Sequence, residues 1–349
     1  MSYTINDWKK TIETSNLSKI EKIERMQYVE SAFKNKVPVI IDTKHLSQLL
    51  GLKIGVLTSM VQSPSSFYRE FKIPKRKGGY RDIVTPYKSL LEVQQWIAKH
   101  ILSCFEIHPS AYAYVKGKNI AQNAKLHIGS SEMLKIDLKD FFPSIKIPRV
   151  RELFKRLGYN KEVTYYLSKL CCLKEQLPQG AASSPLISNI ILSNLDKRLF
   201  KFASNNQLIY SRYADDLVFS GDAIPSDFRI LVAMNIQDEG FSLNPDKTIE
   251  YSENQRKLIT GVVVKKDSIR LPKDLRREIK QQAHYILKFG ILDQVKRYND
   301  IFYVDRILGR LSYWKQIEPK NEYVINTLKE IILMYKETMN NIQNNDDGE

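Results

Sequence analysis

Two adjacent aspartates, Asp215 and Asp216, stand inside the segment LIYSRYADDLVFS, where apolar residues flank them on both sides. This composition predicts two short strands joined by a tight turn at 214–216. Successive residues of a strand point to opposite faces, so only a turn can bring both carboxylates near one point. Two carboxylates repel each other there unless a cation neutralises them. For an isolated Asp-Asp pair, a solvated turn is the alternative.

A third aspartate, Asp137, ends the apolar segment EMLKID, which predicts a buried strand. From a neighbouring strand, its carboxylate could reach the same cations as the aspartate pair. Two-metal phosphoryl transfer requires oxygen ligands around both ions, which activate an attacking hydroxyl and neutralise the leaving phosphate. A pair of magnesium ions would neutralise the three carboxylates in this way.

The order of the motifs around these aspartates resembles the palm of reverse transcriptases. YADD is preceded by IDLKDFFPSI and by LPQGAASSP, so three consecutive motifs of that family match. The resemblance extends from about residue 73 to the C-terminus. It implies an α+β fold of the right-hand polymerase type, with fingers, a palm with an antiparallel sheet and a helical thumb. It also implies that Asp137, Asp215 and Asp216 are the catalytic residues and the ligands of two magnesium ions.

The same resemblance implies a pocket for deoxynucleoside triphosphates. Phe142, five residues after Asp137, matches an aromatic steric gate whose ring excludes a ribose 2′-hydroxyl. Phe141 is the next candidate, and both rings could instead be core residues. Gln179 matches a glutamine beside the incoming nucleotide, and Gly180 after it permits close approach of the backbone. The alternative for this segment is a loop without a ligand.

Cations in two further segments match family positions near the triphosphate. IPKRKGGYRDIVTP predicts a hairpin around two glycines, and Arg81 with Lys75 suits phosphate oxygens. Lys247, in GFSLNPDKT, matches a lysine that lies near the triphosphate. A solvated basic hairpin and an ordinary surface lysine are the alternatives.

Two short motifs resemble those of retron reverse transcriptases. NAKLH, with Asn123 and His127, matches the pattern NAxxH, and LITG at 258–261 resembles VTG with Ile in place of Val. The resemblance implies an RNA-directed DNA polymerase that copies a structured non-coding RNA into branched, RNA-linked single-stranded DNA. It also implies anti-phage defence with an effector protein. Asn123 and His127 are then candidates for RNA binding, and a packed or capping histidine is the alternative for His127.

Two other functions compete with this interpretation. A group II intron-like reverse transcriptase usually carries DNA-binding and endonuclease regions, and the chain, which ends at Glu349, shows no Cys-rich or His-rich nuclease pattern. A catalytically inactive RNA-binding scaffold is the alternative from another class. The three aspartates argue against the scaffold, and primer extension with magnesium separates the two.

Composition indicates the partners and the compartment. Lys and Arg number 54 against 39 Asp and Glu, and the net charge of +15 makes nucleic acid the leading partner, with a basic soluble protein as the alternative. Cys104, Cys171 and Cys172 have no zinc-ligand spacing, so buried thiols in a reducing cytosol are predicted. Without a signal-peptide pattern or an apolar run of about 18 residues, we expect a cytoplasmic protein that does not span a membrane.

The predicted organisation has four parts. Residues 1–68 form an N-terminal helical extension, 69–270 the interleaved fingers and palm, 271–340 a helical thumb, and 341–349 a disordered tail. At the start of the thumb, a basic cluster suits a helix that binds the duplex backbone, where phosphate contacts give affinity without sequence choice. The cluster consists of Lys273, Arg276, Arg277 and Lys280, and the first three are the candidates for RNA binding. A solvated helix face is the alternative for these cations.

Overall fold

A computed structural model of the chain describes residues 4–74 and 78–346. The chain divides into two compact units. Unit 1 comprises Met1–Lys116, Asp137–Phe202 and Asp227–Lys247, and unit 2 comprises Gly117–Ile136, Ala203–Ser226 and Thr248–Glu349. Each unit is therefore assembled from three separate stretches of the chain.

The regular elements of the described residues are helices and short strands. The α-helices are α1 (Ile5–Glu13), α2 (Lys19–Lys34), α3 (Thr43–Leu49), α4 (Ile54–Gln62), α5 (Lys88–His100), α6 (Ile120–Lys125), α7 (Phe141–Ser144), α8 (Ile147–Arg156), α9 (Lys161–Cys171), α10 (Ser184–Asn205), α11 (Phe228–Asp238), α12 (Lys273–Phe289), α13 (Ile291–Tyr298), α14 (Tyr303–Ile317) and α15 (Glu322–Asp346). The strands are β1 (Tyr68–Pro74), β2 (Tyr80–Pro86), β3 (Glu132–Asp137), β4 (Ile209–Tyr213), β5 (Asp216–Gly221), β6 (Ile249–Tyr251), β7 (Lys257–Ile259), β8 (Val262–Val264) and β9 (Ile269–Arg270).

Unit 1 is built around α9. This helix begins at the N-cap Asn160, whose side chain accepts a hydrogen bond from the N–H of Val163, and it contacts α3, α4, α5 and α8. Leu167, Leu170 and Cys171 are buried in that core. The β1–β2 hairpin pairs antiparallel and contacts α5 through β2.

Two of the three cysteines of unit 1 agree with the predicted buried thiols. Cys171 and Cys172 are buried and free, and Cys104 is half-buried. Burial raises the pKa of Cys171 to about 12, because the thiolate is poorly solvated there.

Unit 2 combines two sheets with the C-terminal helices. The four-stranded sheet has the order β4-β5-β3-β6, in which β4 pairs antiparallel with β5 and β3 with β6. Strands β7, β8 and β9 form a separate antiparallel sheet. Its buried residues, including Ile259, Val262 and Val264, share one apolar core with α12, α14 and α15.

The structure confirms the predicted α+β class and the antiparallel strand pairs. Helix α15 continues to Asp346, beyond the position 341 at which a disordered tail was predicted to begin. The polar residues there continue the helical turns of the preceding amphipathic segment, so a polar composition alone did not mark its end. Across residues 4–74 and 78–346, we find no helix whose length and apolar character would let it cross a membrane.

Candidate functional site

The aspartate pair lies at the tip of the β4–β5 hairpin in unit 2. Tyr213 pairs with Asp216, so the loop consists of Ala214 and Asp215 alone. Ala214 has a φ of 57°, in the left-handed region that the first residue of a two-residue hairpin loop adopts and that favours glycine. A residue with a Cβ is strained there, so the surrounding structure has to hold the turn.

Two basic side chains stabilise this hairpin tip, and neither was singled out from the sequence. Arg212 is fully buried, and its Nη1 donates a hydrogen bond to the carbonyl oxygen of Ala214 at 3.1 Å. Lys135, on the neighbouring strand β3, places its Nζ 3.1 Å from Oδ1 of Asp216. Both side chains of this ion pair are less than a fifth exposed, so solvent screens the pair only in part. The sequence signal that could have identified Arg212 is the presence of an arginine inside an otherwise apolar strand.

Asp137 ends β3, and its carboxylate belongs to unit 1 together with Lys247. The N–H of Asn244 donates to the backbone oxygen of Asp137 at 2.8 Å, which aligns GFSLNPDKT with the end of the strand. Nζ of Lys247 then lies 2.9 Å and 3.0 Å from the two carboxylate oxygens of Asp137. The lysine predicted to bind a triphosphate is thus an ion-pair partner of a predicted metal ligand.

The donor chemistry of these carboxylates suits magnesium, which prefers hard oxygen ligands. Asp137 and Asp216 each already face a cation, since each pairs with a lysine ammonium. Within residues 4–74 and 78–346, no three His, Cys, Asp or Glu side chains are grouped closely enough to hold a metal ion. The two lysines contact the oxygens that metal ligation would use, so binding an ion requires these ion pairs to open.

The two phenylalanines after Asp137 have different environments. Phe141 is buried at 5% exposure and lies 6.4 Å, ring to ring, from Phe241. Phe142 is only half-buried, and its ring lies 6.4 Å from that of Tyr114. Phe142 is therefore the ring of this pair that retains accessible surface, while Phe141 has the environment of a core residue. The exposed Tyr114 was missed by sequence reasoning, because an isolated tyrosine carries no spacing signal.

The loop that carries Gln179 packs directly against β2. The N–H of Val84 donates to the carbonyl oxygen of Gln179 at 3.0 Å. Gly180 has a φ of +130°, and a Cβ at this position would lie 2.7 Å from the carbonyl oxygen of Val84. Glycine is thus required twice, for its backbone conformation and for the close approach of two chain segments.

A fully buried glutamine fixes the other end of this loop. Oε1 of Gln94 accepts a hydrogen bond from the N–H of Ala182 at 3.1 Å. Its Nε2 donates to the Tyr68 hydroxyl at 2.7 Å and to the carbonyl oxygen of Leu170 at 2.9 Å. Sequence reasoning missed Gln94, because a polar residue of an amphipathic helix is expected to face solvent.

We expect Gly180→Ala to destabilise unit 1 by about 1–3 kcal/mol and to raise KM for deoxynucleoside triphosphates. The added Cβ would push the Gln179 loop away from Val84. Thermal unfolding and steady-state kinetics measure the two effects. Gly51→Ala is the matched control, because Gly51 has a φ of +66° with nothing within 4 Å of the added atom. Equal effects of the two substitutions would contradict the importance of the contact with Val84.

The cations predicted to lie near the triphosphate fall partly outside the described residues. Lys75 lies outside them, and for Arg81 the structure describes the backbone, which pairs with Ile73 across the β1–β2 hairpin. Arg81 shares β2 with Val84, the residue that bonds to Gln179. Arg81 and Gln179, two of the predicted nucleotide-binding residues, therefore lie on segments that are hydrogen-bonded to each other.

The NAKLH motif does not present its two named residues to a ligand. Asn123 and His127 are both fully buried, so direct RNA contact by them does not fit this conformation. The His127 ring contacts Ser220 and Ser211 through its two nitrogens. The alternative of a packed histidine, left open by the sequence, is what the structure shows. The reason is local: α6, which carries Asn123, packs against β4 and β8.

A basic groove lies in unit 2 between the β7–β9 sheet and the start of α12. Its volume is ≈ 650 Å³, and one acid, Glu253, lines it. Seven lining side chains are basic, namely Arg256, Lys257, Lys265, Lys266, Arg270, Lys273 and Arg276. Among the described residues, the buried Nε of Arg276 has no hydrogen-bond partner. The predicted cations Lys273 and Arg276 thus share one concave surface, and Arg277 is exposed on the same helix. Sequence reasoning missed the cations before residue 271, because they come from short strands and loops.

Comparison with known proteins identifies the family of the chain. Residues 73–281 match the family described as reverse transcriptase (RNA-dependent DNA polymerase). The chain is 32% identical over 257 residues to the retron Ec86 reverse transcriptase of Escherichia coli, covering 72% of this chain and 79% of that protein. It is 31% identical to the retron Mx65 reverse transcriptase of Myxococcus xanthus (81% and 70%) and 32% identical to the retron Ec83 reverse transcriptase of Escherichia coli (77% and 90%).

Proposed function

Since the chain belongs to the reverse transcriptases, and within them to those of retrons, we propose that Asp137, Asp215 and Asp216 form its polymerase site and hold two magnesium ions. The observation that carries the proposal is the strained hairpin tip, which holds an aspartate pair beside the strand that ends in Asp137. A turn that costs conformational energy and displays two like charges is explained by a cation-binding role.

The chain's own residues prepare this site for chemistry. Bound magnesium would activate the attacking hydroxyl and neutralise the charge of the leaving phosphate. Lys135 and Lys247 each neutralise a carboxylate beforehand, which limits the repulsion among the aspartates before an ion binds. Once released from Asp137, the largely exposed Lys247 would approach a triphosphate, as the family resemblance implies.

Primer extension on an RNA template tests this assignment. We expect DNA synthesis with magnesium and its loss after chelation by EDTA, with recovery when magnesium is added back. An inactive RNA-binding scaffold would bind the template and extend nothing under any metal condition. Extension that is insensitive to chelation would contradict the proposed metal site.

The nucleotide pocket and the overall arrangement are further parts of the proposal. Phe142 and Gln179 would contact the deoxynucleoside triphosphate, and Arg81 with Lys75 would contact its phosphates. The β1–β2 hairpin would belong to the fingers, the four-stranded sheet to the palm, and α12–α15 to the thumb of a right-hand polymerase. The accessible ring of Phe142 and the bonded β2–Gln179 segments support this interpretation.

We propose a structured non-coding RNA as template and primer, bound in part by the basic groove. Charge alone gives salt-sensitive binding to any RNA. Selectivity then has to come from the folded shape and from exposed single-stranded bases, because the deep A-form major groove is hard to read. The product would be single-stranded DNA joined to the RNA through a 2′-hydroxyl. The proposed setting is the cytoplasm, where the hybrid would act with an effector protein in anti-phage defence.

The groove gives a quantitative prediction for RNA binding. Lys265→Gln/Lys266→Gln is expected to weaken binding and to reduce the slope of log affinity against log salt by about 0.7–0.9 for each phosphate that the protein no longer neutralises. Lys9→Gln/Lys10→Gln removes the same charge from exposed positions of α1 and is the control. Fluorescence titration at several salt concentrations measures both slopes. Equal slopes for the two variants would show that the groove does not contact phosphates.

A further inference from the structure

The buried His127 joins the two strands of the hairpin that carries the aspartate pair. Its Nδ1 lies 2.6 Å from Oγ of Ser220 on β5, and its Nε2 lies 2.8 Å from Oγ of Ser211 on β4. Ser130 adds a further link by donating to Ser220 at 2.9 Å. The histidine and the two serines it bridges are completely buried, so water does not replace these contacts.

Strand register explains why a histidine is needed for this bridge. Ser211 pairs with Val218, so Ser220 is its diagonal neighbour, two residues further along β5. Diagonal positions of an antiparallel pair are about 7–8 Å apart, too far for two serine hydroxyls to meet. An imidazole ring between them reaches both with its two nitrogens.

The bridge also lies on the strand face that bears Asp216. Residues two apart on a strand share a face, so Ser220 and Asp216 are on the same side of β5, about 13 Å apart along the strand. A shift of β5 at Ser220 would therefore move the Asp216 carboxylate relative to Lys135 on β3.

We propose that His127 is a positioning residue of the polymerase site. It holds β4 and β5 in register at the end of the hairpin away from the tip, so that the tip keeps its geometry. This inference rests on the proposed catalytic role of Asp215 and Asp216. It assigns the NAKLH motif to the construction of the site rather than to RNA contact.

The protonation state of the ring suits this role. Burial lowers the pKa of His127 to about 3, because the charged imidazolium cannot be solvated. A neutral imidazole offers one donor and one acceptor, so one serine accepts a hydrogen bond and the other donates one. A neutral amide offers the same pair, whereas a hydrocarbon side chain offers neither.

The test compares His127→Leu with His127→Gln. We expect His127→Leu to lower kcat by about 10- to 100-fold, the cost of a small misplacement of reacting groups, with KM for the nucleotide within about twofold. Backbone amides of 209–221 should exchange faster with deuterium. His127→Gln, which retains a donor and an acceptor, should recover most of kcat and of the protection. If His127 acted only by packing, His127→Leu would instead retain more of kcat and of the protection than His127→Gln.

Two further variants keep the result interpretable. Val324→Ala in α15 removes volume from a fully buried position of unit 2 and shows what general destabilisation does to kcat. Ser220→Ala removes one end of the bridge with little change in volume. It replaces His127→Leu in the test if that variant does not fold. The inference would be overturned if His127→Leu had the same kinetics and hydrogen exchange as Val324→Ala. It would also be overturned if His127→Leu and His127→Gln did not differ. Normal activity of Asp215→Asn would instead overturn the catalytic assignment, while exchange would still report on the bridge.

Discussion

Asp215→Asn and Asp216→Asn are each expected to lower the rate of DNA synthesis by at least about 10³-fold, because each removes a metal-binding anion. Stabilisation of transition-state charge by a bound metal amounts to several kcal/mol, and each 1.36 kcal/mol changes the rate tenfold. Single-turnover primer extension measures the loss directly.

The two variants should differ in stability. Asp215→Asn relieves repulsion within the pair, so its melting temperature should hold or rise. Asp216→Asn also removes the partner of Lys135, so its free energy of unfolding should fall relative to Asp215→Asn, by about 1 kcal/mol. Thermal unfolding without magnesium separates these outcomes from the effect on catalysis.

Asp222→Asn is the matched control, because it makes the same substitution at an exposed position just after β5. Its activity and stability should be near those of the unaltered enzyme. Near-normal extension by the Asp215 or Asp216 variant would contradict the assignment of the hairpin tip as the polymerase site.

Phe142→Val is expected to raise the incorporation of ribonucleotides relative to deoxynucleotides by about 10- to 200-fold, the range that a steric difference of this size supports. The half-buried ring retains surface that can meet a 2′-hydroxyl, so removing it removes a clash rather than a contact. The measurement is the ratio of kcat/KM for the two kinds of nucleotide on one template.

Phe141→Leu is the control for this substitution. Phe141 is buried against Phe241, so replacing it should lower stability and leave sugar selection unchanged. An unchanged ratio in folded Phe142→Val, together with a changed ratio in Phe141→Leu, would move the gate to Phe141.

Local patterns predicted the elements that carry the site. The apolar residues that flank 214–216 on both sides predicted the β4–β5 hairpin, and the paired glycines at 78–79 predicted the β1–β2 hairpin. These predictions succeeded because hairpin formation depends on neighbours in the chain. The strands β6–β9, of two or three residues, have too few positions to display a period.

Contacts between distant segments were beyond such patterns. Lys135 and Asp216 are 81 positions apart, and their ion pair depends on the order of strands in the sheet. His127 was predicted to bind RNA, yet it is buried, with its two ring nitrogens against Ser211 and Ser220 of the β4–β5 hairpin. A motif identifies residues that a family uses, but the packing of its segment decides whether those residues face a ligand or the core.

Expression of the protein with the RNA encoded beside its gene, followed by enzymatic debranching of the extracted nucleic acid, tests the central claim most directly. The claim is that this retron reverse transcriptase uses its three aspartates to copy a specific RNA from a 2′-hydroxyl primer. We predict DNA that is linked to RNA, becomes linear only after debranching, and is absent with Asp216→Asn. Linear DNA with a free 5′ end before debranching, or equal synthesis on arbitrary RNA, would contradict the account.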